Sequence, residues 1–377
     1  MNRNAILLHL SLLTFVAMLS ACADSQPSTT TILLQTPVAP AATPKPATAT
    51  PVPPTPTQSP SRPETPRTTP TVQPTRIAFE LGATSATIAA NLTAQSSAHY
   101  VVRAMADQLL YVSVSAPEDA VRLVVYGVDG TVLKSGMGES PSFRGYLPTT
   151  QDYLIRVEAN NAVEYTLNVI IPQRINFKPG TTSASIEGEL SPWSSHHYVL
   201  RAMTDQNMDI SVSAPEIISA TEYAVQLVVY GLDGTVLKSG MGGPPSFQGY
   251  LPTTQDYLLH VAVSDHPVKY TLDVIIPQRI TFKPSATSEV VLGSITGGSI
   301  NHYILRAMAN QSISVSIISP TRDLFLTIYG QDGTVLKRAA DDSPIWGGKL
   351  PTSQDYWLNV VSTGQDTTYK IEISITG

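Results

Sequence analysis

The sequence predicts an all-β protein in which three tandem antiparallel β-sandwich domains of jelly-roll-like form follow a disordered tether rich in proline and threonine. A phrase that opens with Tyr100, Tyr198 and Tyr303 occurs three times, and each time Asp-Gly-Thr-Val-Leu and Gln-Asp-Tyr follow it. Within each copy, polar and apolar residues alternate with a period of two, which is typical of half-buried strands. Turn residues recur at the spacing expected of a sandwich of short strands.

The leader is the first element of the chain. Arg3 precedes an apolar stretch, Ala5–Met18, which is too short and too polar to span a bilayer. The following Leu19-Ser20-Ala21-Cys22 resembles the lipobox of bacterial lipoproteins. This resemblance implies that residues 1–21 are a signal peptide and that acylated Cys22 attaches the mature protein to membrane lipid. The alternative is an ordinary secretory leader.

The tether is the second element and covers residues 22–75. Between Gln26 and Thr75, fourteen of fifty residues are proline and fourteen are threonine. Such a segment cannot bury enough apolar surface to offset the entropy of ordering. We expect an extended linker that reaches roughly 150 Å when stretched as polyproline II. It serves either as a stalk that lifts the folded part away from a membrane or as a neutral linker.

Three copies of one module make up the rest, at residues 76–173, 174–278 and 279–377. The second copy is longer, and we place its insertion at Ile217–Tyr223, which predicts a surface loop. Because Cys22 is the only cysteine, no domain can use a disulfide, and each needs its own apolar core. The short joins between copies favour a semi-rigid arrangement.

Nine strands are predicted in the first copy. They lie at Ile77–Leu81, Ala86–Leu92, His99–Ala104, Leu109–Ser115, Arg122–Tyr126, Thr131–Lys134, Ser142–Leu147, Tyr153–Glu158 and Tyr165–Ile171. Alternation points Tyr100, Val102 and Ala104 inward, and Tyr153, Ile155 and Val157 as well. Asp-Gly pairs predict tight hairpin turns that need positive φ, and these pairs begin at Asp129, Asp233 and Asp332.

Each copy resembles a bacterial pre-peptidase C-terminal domain, the jelly-roll-like sandwich found beside secreted peptidases. The matching pieces begin at Tyr100 (Tyr-Val-Val-Arg-Ala), Gln108, Leu123 (Leu-Val-Val-Tyr-Gly-Val-Asp-Gly-Thr) and Leu147. The resemblance implies a role as accessory module for a secreted peptidase. The chain departs from the family pattern at three turn positions where glycine is usual, namely Asp107, Asp205 and Asn310.

A shorter segment, from Ser85 through Tyr100, is similar to bacterial inhibitors of g-type lysozyme, which share this sandwich. That similarity implies an inhibitor of a lysozyme as the alternative function.

Reactive motifs are absent from the sequence. There is no Gly-x-Ser-x-Gly elbow, no His-Glu-x-x-His and no glycine-rich phosphate loop, and Cys22 is assigned to the anchor. The formal charge is −6 without a basic cluster, which argues against a nucleic-acid partner. We therefore predict no enzyme activity, no metal site and no cofactor. The alternative is calcium at the sandwich ends, where carboxylates and carbonyls gather, although no Asp-x-Asp-x-Asp-Gly loop supports it.

Recurring polar residues have structural explanations. One histidine per copy precedes the strand tyrosine and is predicted to face solvent and form cross-strand hydrogen bonds; these are His99, His197 and His302. One aspartate per copy precedes another strand tyrosine, where an Asx-type hydrogen bond to nearby backbone is expected; these are Asp152, Asp256 and Asp355.

The three tryptophans differ in their predicted roles. Trp346 replaces Phe143 and Phe247 and is predicted to be core, whereas Trp357 is predicted to cover a sheet face. Trp193 lies in a loop, where the other copies have Gln95 and Gly297. It is either a stacking contact for sugar or protein or a partly buried loop anchor.

These observations together predict an extracytoplasmic protein, lipid-anchored to a bacterial cell membrane, whose repeats bind or display rather than catalyse. The expected partners are membrane lipid through Cys22 and a glycan, peptidoglycan or secreted protein through the sandwiches.

Overall fold

A computed structural model describes residues 73–117, 120–136, 140–214, 224–240, 243–341 and 343–377. Cys22, nearly all of the predicted tether and the insertion at Ile217–Tyr223 lie outside the described residues. The predicted fold class is confirmed, because the strands fall into three sets of nine and each set forms a sandwich of two sheets. We call these sets repeats 1, 2 and 3.

The strand bounds correspond closely among the repeats. Repeat 1 contains β1 Thr75–Arg76, β2 Ser85–Leu92, β3 Ser96–Ala104, β4 Leu109–Ser115, β5 Val121–Gly127, β6 Val132–Lys134, β7 Ser142–Tyr146, β8 Gln151–Ala159 and β9 Val163–Ile170. Repeat 2 contains β10 Gln173–Arg174, β11 Ser183–Leu190, β12 Ser195–Ala202, β13 Asn207–Ser213, β14 Val225–Gly231, β15 Val236–Lys238, β16 Ser246–Tyr250, β17 Gln255–Val263 and β18 Val268–Ile275. Repeat 3 contains β19 Gln278–Arg279, β20 Ser288–Ile295, β21 Ile300–Ala307, β22 Ser312–Ile318, β23 Leu324–Gly330, β24 Val335–Lys337, β25 Ile345–Lys349, β26 Gln354–Ser362 and β27 Thr367–Thr376.

The topology of each repeat is a jelly roll. In repeat 1, one sheet has the order β2-β9-β4-β7 and the other β1-β3-β8-β5-β6, and repeats 2 and 3 have the same orders. Eight of the nine strands pair antiparallel and form the two facing sheets of a jelly roll. The ninth, β1, adds a short parallel pairing at the edge of β3.

Eight of the nine strands predicted for repeat 1 are present, with ends that shift by a few residues. The prediction of a strand at Ile77–Leu81 is wrong. The strand that pairs with β3 ends at Arg76, and Ile77 adds one further hydrogen bond, from its N to Val101 O at 2.8 Å. The chain then turns at Gly82, whose φ is 79°. Leu81 is left fully exposed.

The recurring tyrosines join the two sheets of each sandwich. The Tyr100 hydroxyl on β3 lies 2.6 Å from the Tyr165 hydroxyl on β9, inside the core. Repeats 2 and 3 contain equivalent pairs, at 2.5 Å for Tyr198 and Tyr270 and 2.6 Å for Tyr303 and Tyr369. Burial raises the pKa of Tyr165, so this phenol keeps its proton. Each hydroxyl of the pair has the other as its hydrogen-bond partner. The inward faces predicted for β3 and β8 are confirmed as buried.

The Gln-Asp-Tyr motif at the start of β8 holds the hairpin turn between β5 and β6. In repeat 1 the Tyr153 hydroxyl donates to Thr149 O at 2.6 Å, and Asp129 N donates to the Gln151 side chain at 3.0 Å. Gly130 has a φ of 88°, as the tight turn requires. The same contacts occur in the other two repeats. The three-fold recurrence of these residues therefore serves the fold.

Among the described residues, the helical content is one short 3₁₀ turn at Ala339–Asp341, and no helix there is long and apolar enough to cross a membrane.

Candidate functional site

Consecutive repeats pack sheet against sheet. The outer face of the four-stranded sheet of repeat 1 covers the outer face of the five-stranded sheet of repeat 2. Leu109 on β4 enters an apolar cluster whose other buried members come from repeat 2: Val199, Val228, Tyr230 and Leu258. Each of these side chains is no more than 4% exposed. Burial of this kind makes the join a packed interface and restricts movement between the repeats.

A hydrogen bond from backbone to side chain recurs at both junctions. His197 N donates to Thr84 Oγ1 at 2.7 Å across the first junction. His302 N donates to Thr182 Oγ1 at 2.6 Å across the second. Since the two bonds join equivalent residues, both junctions are built in the same way.

The recurring aspartates pair with arginines, so the Asx-turn prediction is wrong. Arg174 contacts Asp256 at 2.7 Å, and the Tyr146 hydroxyl of repeat 1 donates to the same carboxylate. Burial raises the pKa of Asp256, whereas the adjacent guanidinium favours the ionised form.

The same pair lies in a different environment in repeat 1. Arg76 contacts Asp152 at 2.7 Å on a face that no other repeat covers, and hydrogen bonding to this guanidinium lowers the pKa of Asp152. In repeat 3 the pair is Arg279 and Asp355 at 2.6 Å, with Arg279 also donating to the Tyr250 hydroxyl of repeat 2 at 3.0 Å. The arginine that opens each repeat thus binds its own sheet and, at the junctions, a tyrosine of the preceding repeat.

The prediction that the recurring histidines face solvent is wrong for His197 and His302. They are 5% and 7% exposed, because the preceding repeat covers their sheet face. The predicted cross-strand hydrogen bond is present at His302, whose Nδ1 lies 3.0 Å from Asn359 Oδ1. The His197 ring instead stacks on His260 across the strands, at 4.5 Å between ring centres. Burial lowers the pKa of His197, His260 and His302, and the pKa of His260 falls to about 4.

The first junction leaves part of its contact area open. A cleft of about 510 Å³ separates the two repeats, and we call it the first-junction cleft. It lies between Thr87, Ser113 and Asn168 of repeat 1 and Trp193, His196 and Gln226 of repeat 2. Its volume falls within the range of roughly 300–1,000 Å³ typical of small-molecule sites.

Trp193 lies on the wall of this cleft in an unusual backbone conformation. Its φ is 62°, a left-handed value that is rare for a bulky side chain. The positions that share this conformation are Gln95 (φ 56°) and Gly298 (φ 75°), so the alignment of Trp193 with Gly297 is wrong by one residue. Trp193 N donates to Ser264 O at 2.5 Å, which holds the loop against the turn after β17. The indole is half-buried.

The other two tryptophans have the structural roles predicted for them. Trp346 packs against the core of repeat 3. Trp357 is 0% exposed, stacks on Tyr329 at 5.9 Å and donates from Nε1 to the Gln331 side chain at 2.8 Å. Trp193 is therefore the tryptophan that faces a cleft.

The cleft has both polar and apolar surface, and its described lining residues include no lysine or arginine. Two carboxylates, Glu80 and Glu189, lie on its wall. Thr87 donates to Asn168 Oδ1 at 2.8 Å, and His196 Nδ1 lies 2.7 Å from the Tyr270 hydroxyl. Burial lowers the pKa of His196, which favours a neutral ring. Two of the histidines found only in repeat 2, His196 and His260, thus line the cleft, which the sequence did not indicate.

The second junction has a hollow of about 420 Å³, whose described lining contains no aromatic residue. It is formed by Pro179–Thr181, Ser294–Thr296 and Asp366–Thr368. Gly298 occupies the position that corresponds to Trp193. The two junctions therefore share their packing but differ in the side chains around the open space.

A serine–histidine contact lies beside the cleft. Ser195 Oγ is 3.2 Å from His197 Nε2, and the equivalent Ser97 and His99 are 2.9 Å apart in repeat 1. The His197 ring lies flat against His260. In the described part of the chain no carboxylate is hydrogen-bonded to the His197 ring. Because the contact recurs outside the cleft, we assign it to the fold. Among the described residues, no three His, Cys, Asp or Glu side chains come together as a metal site.

Comparison with known proteins gives likenesses of fold. No protein-family model and no curated protein matches the chain, so the resemblance to the pre-peptidase C-terminal domain stays a prediction. The crystal structure of PliG from Aeromonas hydrophila, a periplasmic inhibitor of g-type lysozyme, is 25% identical and covers 26% of this chain and 96% of its own, with a TM-score of 0.24. PliG from Salmonella Typhimurium is 22% identical over 26% of this chain and 96% of its own, with a TM-score of 0.22. A triple jelly roll from an archaeal virus is 12% identical over 76% of this chain and 84% of its own, with a TM-score of 0.20.

Proposed function

We propose that this chain is a non-catalytic protein of the bacterial cell envelope, held outside the cytoplasm by lipid on Cys22, and that it binds an extracellular partner in the first-junction cleft. The observation that carries the proposal is Trp193, a half-buried indole on the wall of that cleft. The left-handed φ belongs to the loop of all three repeats, since Gln95 and Gly298 share it, whereas the large ring occurs at this position in repeat 2 alone.

The distribution of repeated residues supports this position for the site. Residues present in all three repeats build the sandwich, as Tyr100 and Gln151 do. Residues that occur in one repeat only are not required by the shared fold. Trp193, His196 and His260 are such residues, and all three line the first-junction cleft.

The packed junction also supports binding. The apolar cluster around Leu109 and the bond from His197 N to Thr84 Oγ1 hold the two walls of the cleft in a fixed relation. A preformed cleft loses little conformational entropy when a partner enters it. The candidate partners are a glycan, peptidoglycan or a secreted protein.

The alternative function is inhibition of a lysozyme, with a role as accessory module of a secreted peptidase as a further variant. The segment that resembles g-type lysozyme inhibitors begins at Ser85, and Ser85 and Thr87 line the cleft. A turbidity assay separates this alternative from the main proposal. Protection of cell walls from g-type lysozyme at about micromolar protein, a useful range for inhibition, would favour the inhibitor.

The proposal is tested by capture from cell-surface glycans, peptidoglycan and secreted proteins with the wild-type chain and a Trp193→Gly variant. We expect the wild type to retain a partner that the variant releases. The matched control is Gln95→Gly, which makes the same change at the equivalent position of repeat 1. Equal capture by all three chains, or turnover of any captured partner, would contradict the proposal.

A further inference from the structure

The structure assigns a ligand class to the first-junction cleft: we infer that it takes a neutral carbohydrate chain, with Trp193 stacking on the apolar face of a sugar ring. This inference rests on the proposed function, because it names the partner of the same site. It depends on three features of the cleft, namely its charge, its single aromatic wall and its hydrogen-bonding groups.

The charge of the cleft disfavours anionic ligands. Its described lining contains Glu80 and Glu189 but neither lysine nor arginine, and Glu189 contacts Lys269, which is not one of the lining residues, at 3.8 Å. A phosphate, sulfate or uronate placed there would meet the Glu80 carboxylate and would find no lysine or arginine in the described lining. The three histidines of the lining supply no compensating charge near neutral pH, because burial lowers the pKa of each. Phosphate-rich wall polymers and acidic polysaccharides are therefore poor ligands.

The apolar surface of the cleft matches a sugar ring better than a cationic ligand. Trp193 is its single indole, and Leu81, which is fully exposed, lies on the same lining. Quaternary ammonium ligands are held by several aromatic faces that surround the cation. The one other aromatic residue of the lining, apart from the histidines, is Tyr111. One large flat ring on a lining that also contains aliphatic surface instead fits the C–H face of a pyranose.

The polar groups of the cleft offer both donors and acceptors. Asn168 accepts from Thr87 through Oδ1, and its amide nitrogen is a further donor on the same side chain. Serines continue this surface along both repeats; they include Ser113 and Ser115, and also Ser194 and Ser264, whose hydroxyls donate to Ser191 O and Asp265 and offer their oxygens as acceptors. Hydroxyls and amides that can donate or accept suit a ligand whose own groups are hydroxyls, whereas a fixed ionic ligand needs groups of one kind.

The second junction supplies a natural comparison. Its hollow is also bounded by hydroxyl side chains, Thr181 and Ser294 among them, but its described lining has no aromatic residue, and the position of Trp193 is taken by Gly298, which is not part of that lining. If hydroxyls alone held the sugar, both junctions would bind it. If the indole is required, only the first junction binds. The stoichiometry expected for the full chain is therefore one site.

The experiment is isothermal titration of the full chain with three probes: chitotetraose and cellotetraose, which are neutral, and an oligogalacturonate, which is anionic. We expect at least one neutral tetrasaccharide to bind at one site per chain and the anionic probe to bind at least about tenfold more weakly. Trp193→Gly should weaken neutral binding by at least about tenfold, and Trp193→Phe should retain part of it. Gln95→Gly should leave the affinity unchanged.

The melting temperature of each variant shows whether a loss of binding comes from a loss of folding. Because glycine adopts positive φ without strain, Trp193→Gly should melt no lower than the wild type while it loses the sugar. Neutral binding that survives in this variant would overturn the assignment of the site. Preference for the anionic probe, or capture of a protein partner that depends on Trp193 without binding of either neutral sugar, would overturn the ligand class and leave the proposed function standing. Absence of any partner that depends on Trp193 would overturn both.

Discussion

Acid should destabilise repeat 2 through the stacked histidines of the first junction. His260 and His197 lie 4.5 Å apart between packed sheets. Burial lowers the pKa of His260 from 6.5 to about 4 and also lowers that of His197. Thr84, whose hydroxyl accepts from His197 N, and Ser195, whose Oγ lies 3.2 Å from His197 Nε2, are among the groups that face this pair. After burial and the charge of His260, the charge of His196 also lowers the pKa of His197.

The sign of the effect follows from proton binding. The unfolded chain takes up a proton at each histidine as the pH falls below about 6.5, whereas the folded chain resists protonation of His260 until about pH 4. The contribution of His260 to stability is therefore complete above the unfolded pKa and is lost as the pH falls toward the folded pKa. For a shift of this size, linkage gives a loss of about 2 kcal/mol between roughly pH 7 and pH 5. His197 changes stability in the same direction.

The assay is hydrogen exchange of the amides in β12 and β17 at the two pH values, which reports repeat 2 separately from the other repeats. The matched variant is His260→Asn, because Asn359 is the equivalent residue of repeat 3 and pairs there with His302. We expect this variant to lose about 2 kcal/mol of the pH dependence. Equal pH dependence in wild type and variant, or protection that increases as the pH falls, would refute the reasoning.

Three further predictions concern the junctions and the anchor. Thr327→Val should raise the free energy of unfolding by about 1 kcal/mol in urea denaturation, because the buried Thr327 hydroxyl has no hydrogen-bond partner among the described residues. Val228 is the equivalent residue of repeat 2, so valine fits this position of the sheet. Lower stability of the variant would contradict this prediction. Thr84→Val should cost about 1–3 kcal/mol, because it leaves His197 N unpaired at a buried site; an unchanged hydrogen-exchange rate at that amide would count against the bond. Cys22→Ala should release the protein from membranes in cell fractionation, and retention under high salt would contradict the lipid anchor.

The fold of each repeat could be predicted because its determinants are local. Alternation identified the inward faces of β3 and β8, and Asp-Gly pairs identified the hairpin turns. No strand forms at Ile77–Leu81, because the apolar residues of this segment lie in different environments. Ile77 is buried, whereas Leu81 is exposed beside the cleft. A short apolar run does not reveal whether its residues pair with a neighbouring strand.

The contacts between repeats could not be read from alternation alone. Alternation gives a residue one of two faces, but it does not show whether another sandwich covers the outer face. His197 was predicted to face solvent for this reason, although it is buried at the first junction. One signal was present in the sequence: an arginine opens each repeat, at Arg76, Arg174 and Arg279, and each repeat also contains one recurring aspartate. A charge that recurs with an opposite charge at a domain join indicates an ion pair there.

Trp193 was recognised as unusual from sequence because nothing in the shared pattern required a large ring at that position. Its partners across the cleft, Thr87 and Asn168, could not be found in the same way, since threonine and asparagine are ordinary on an outer strand face. Only the packing of repeat 1 against repeat 2 brings these side chains together.

The most direct test of the central claim is a crystal structure of the chain soaked with the neutral tetrasaccharide that binds in titration. We predict a sugar ring stacked on the Trp193 indole within the first-junction cleft, with hydroxyls that hydrogen-bond to Asn168 and neighbouring serines. A sugar bound at another surface of the three repeats, with the cleft filled only by solvent, would contradict the account.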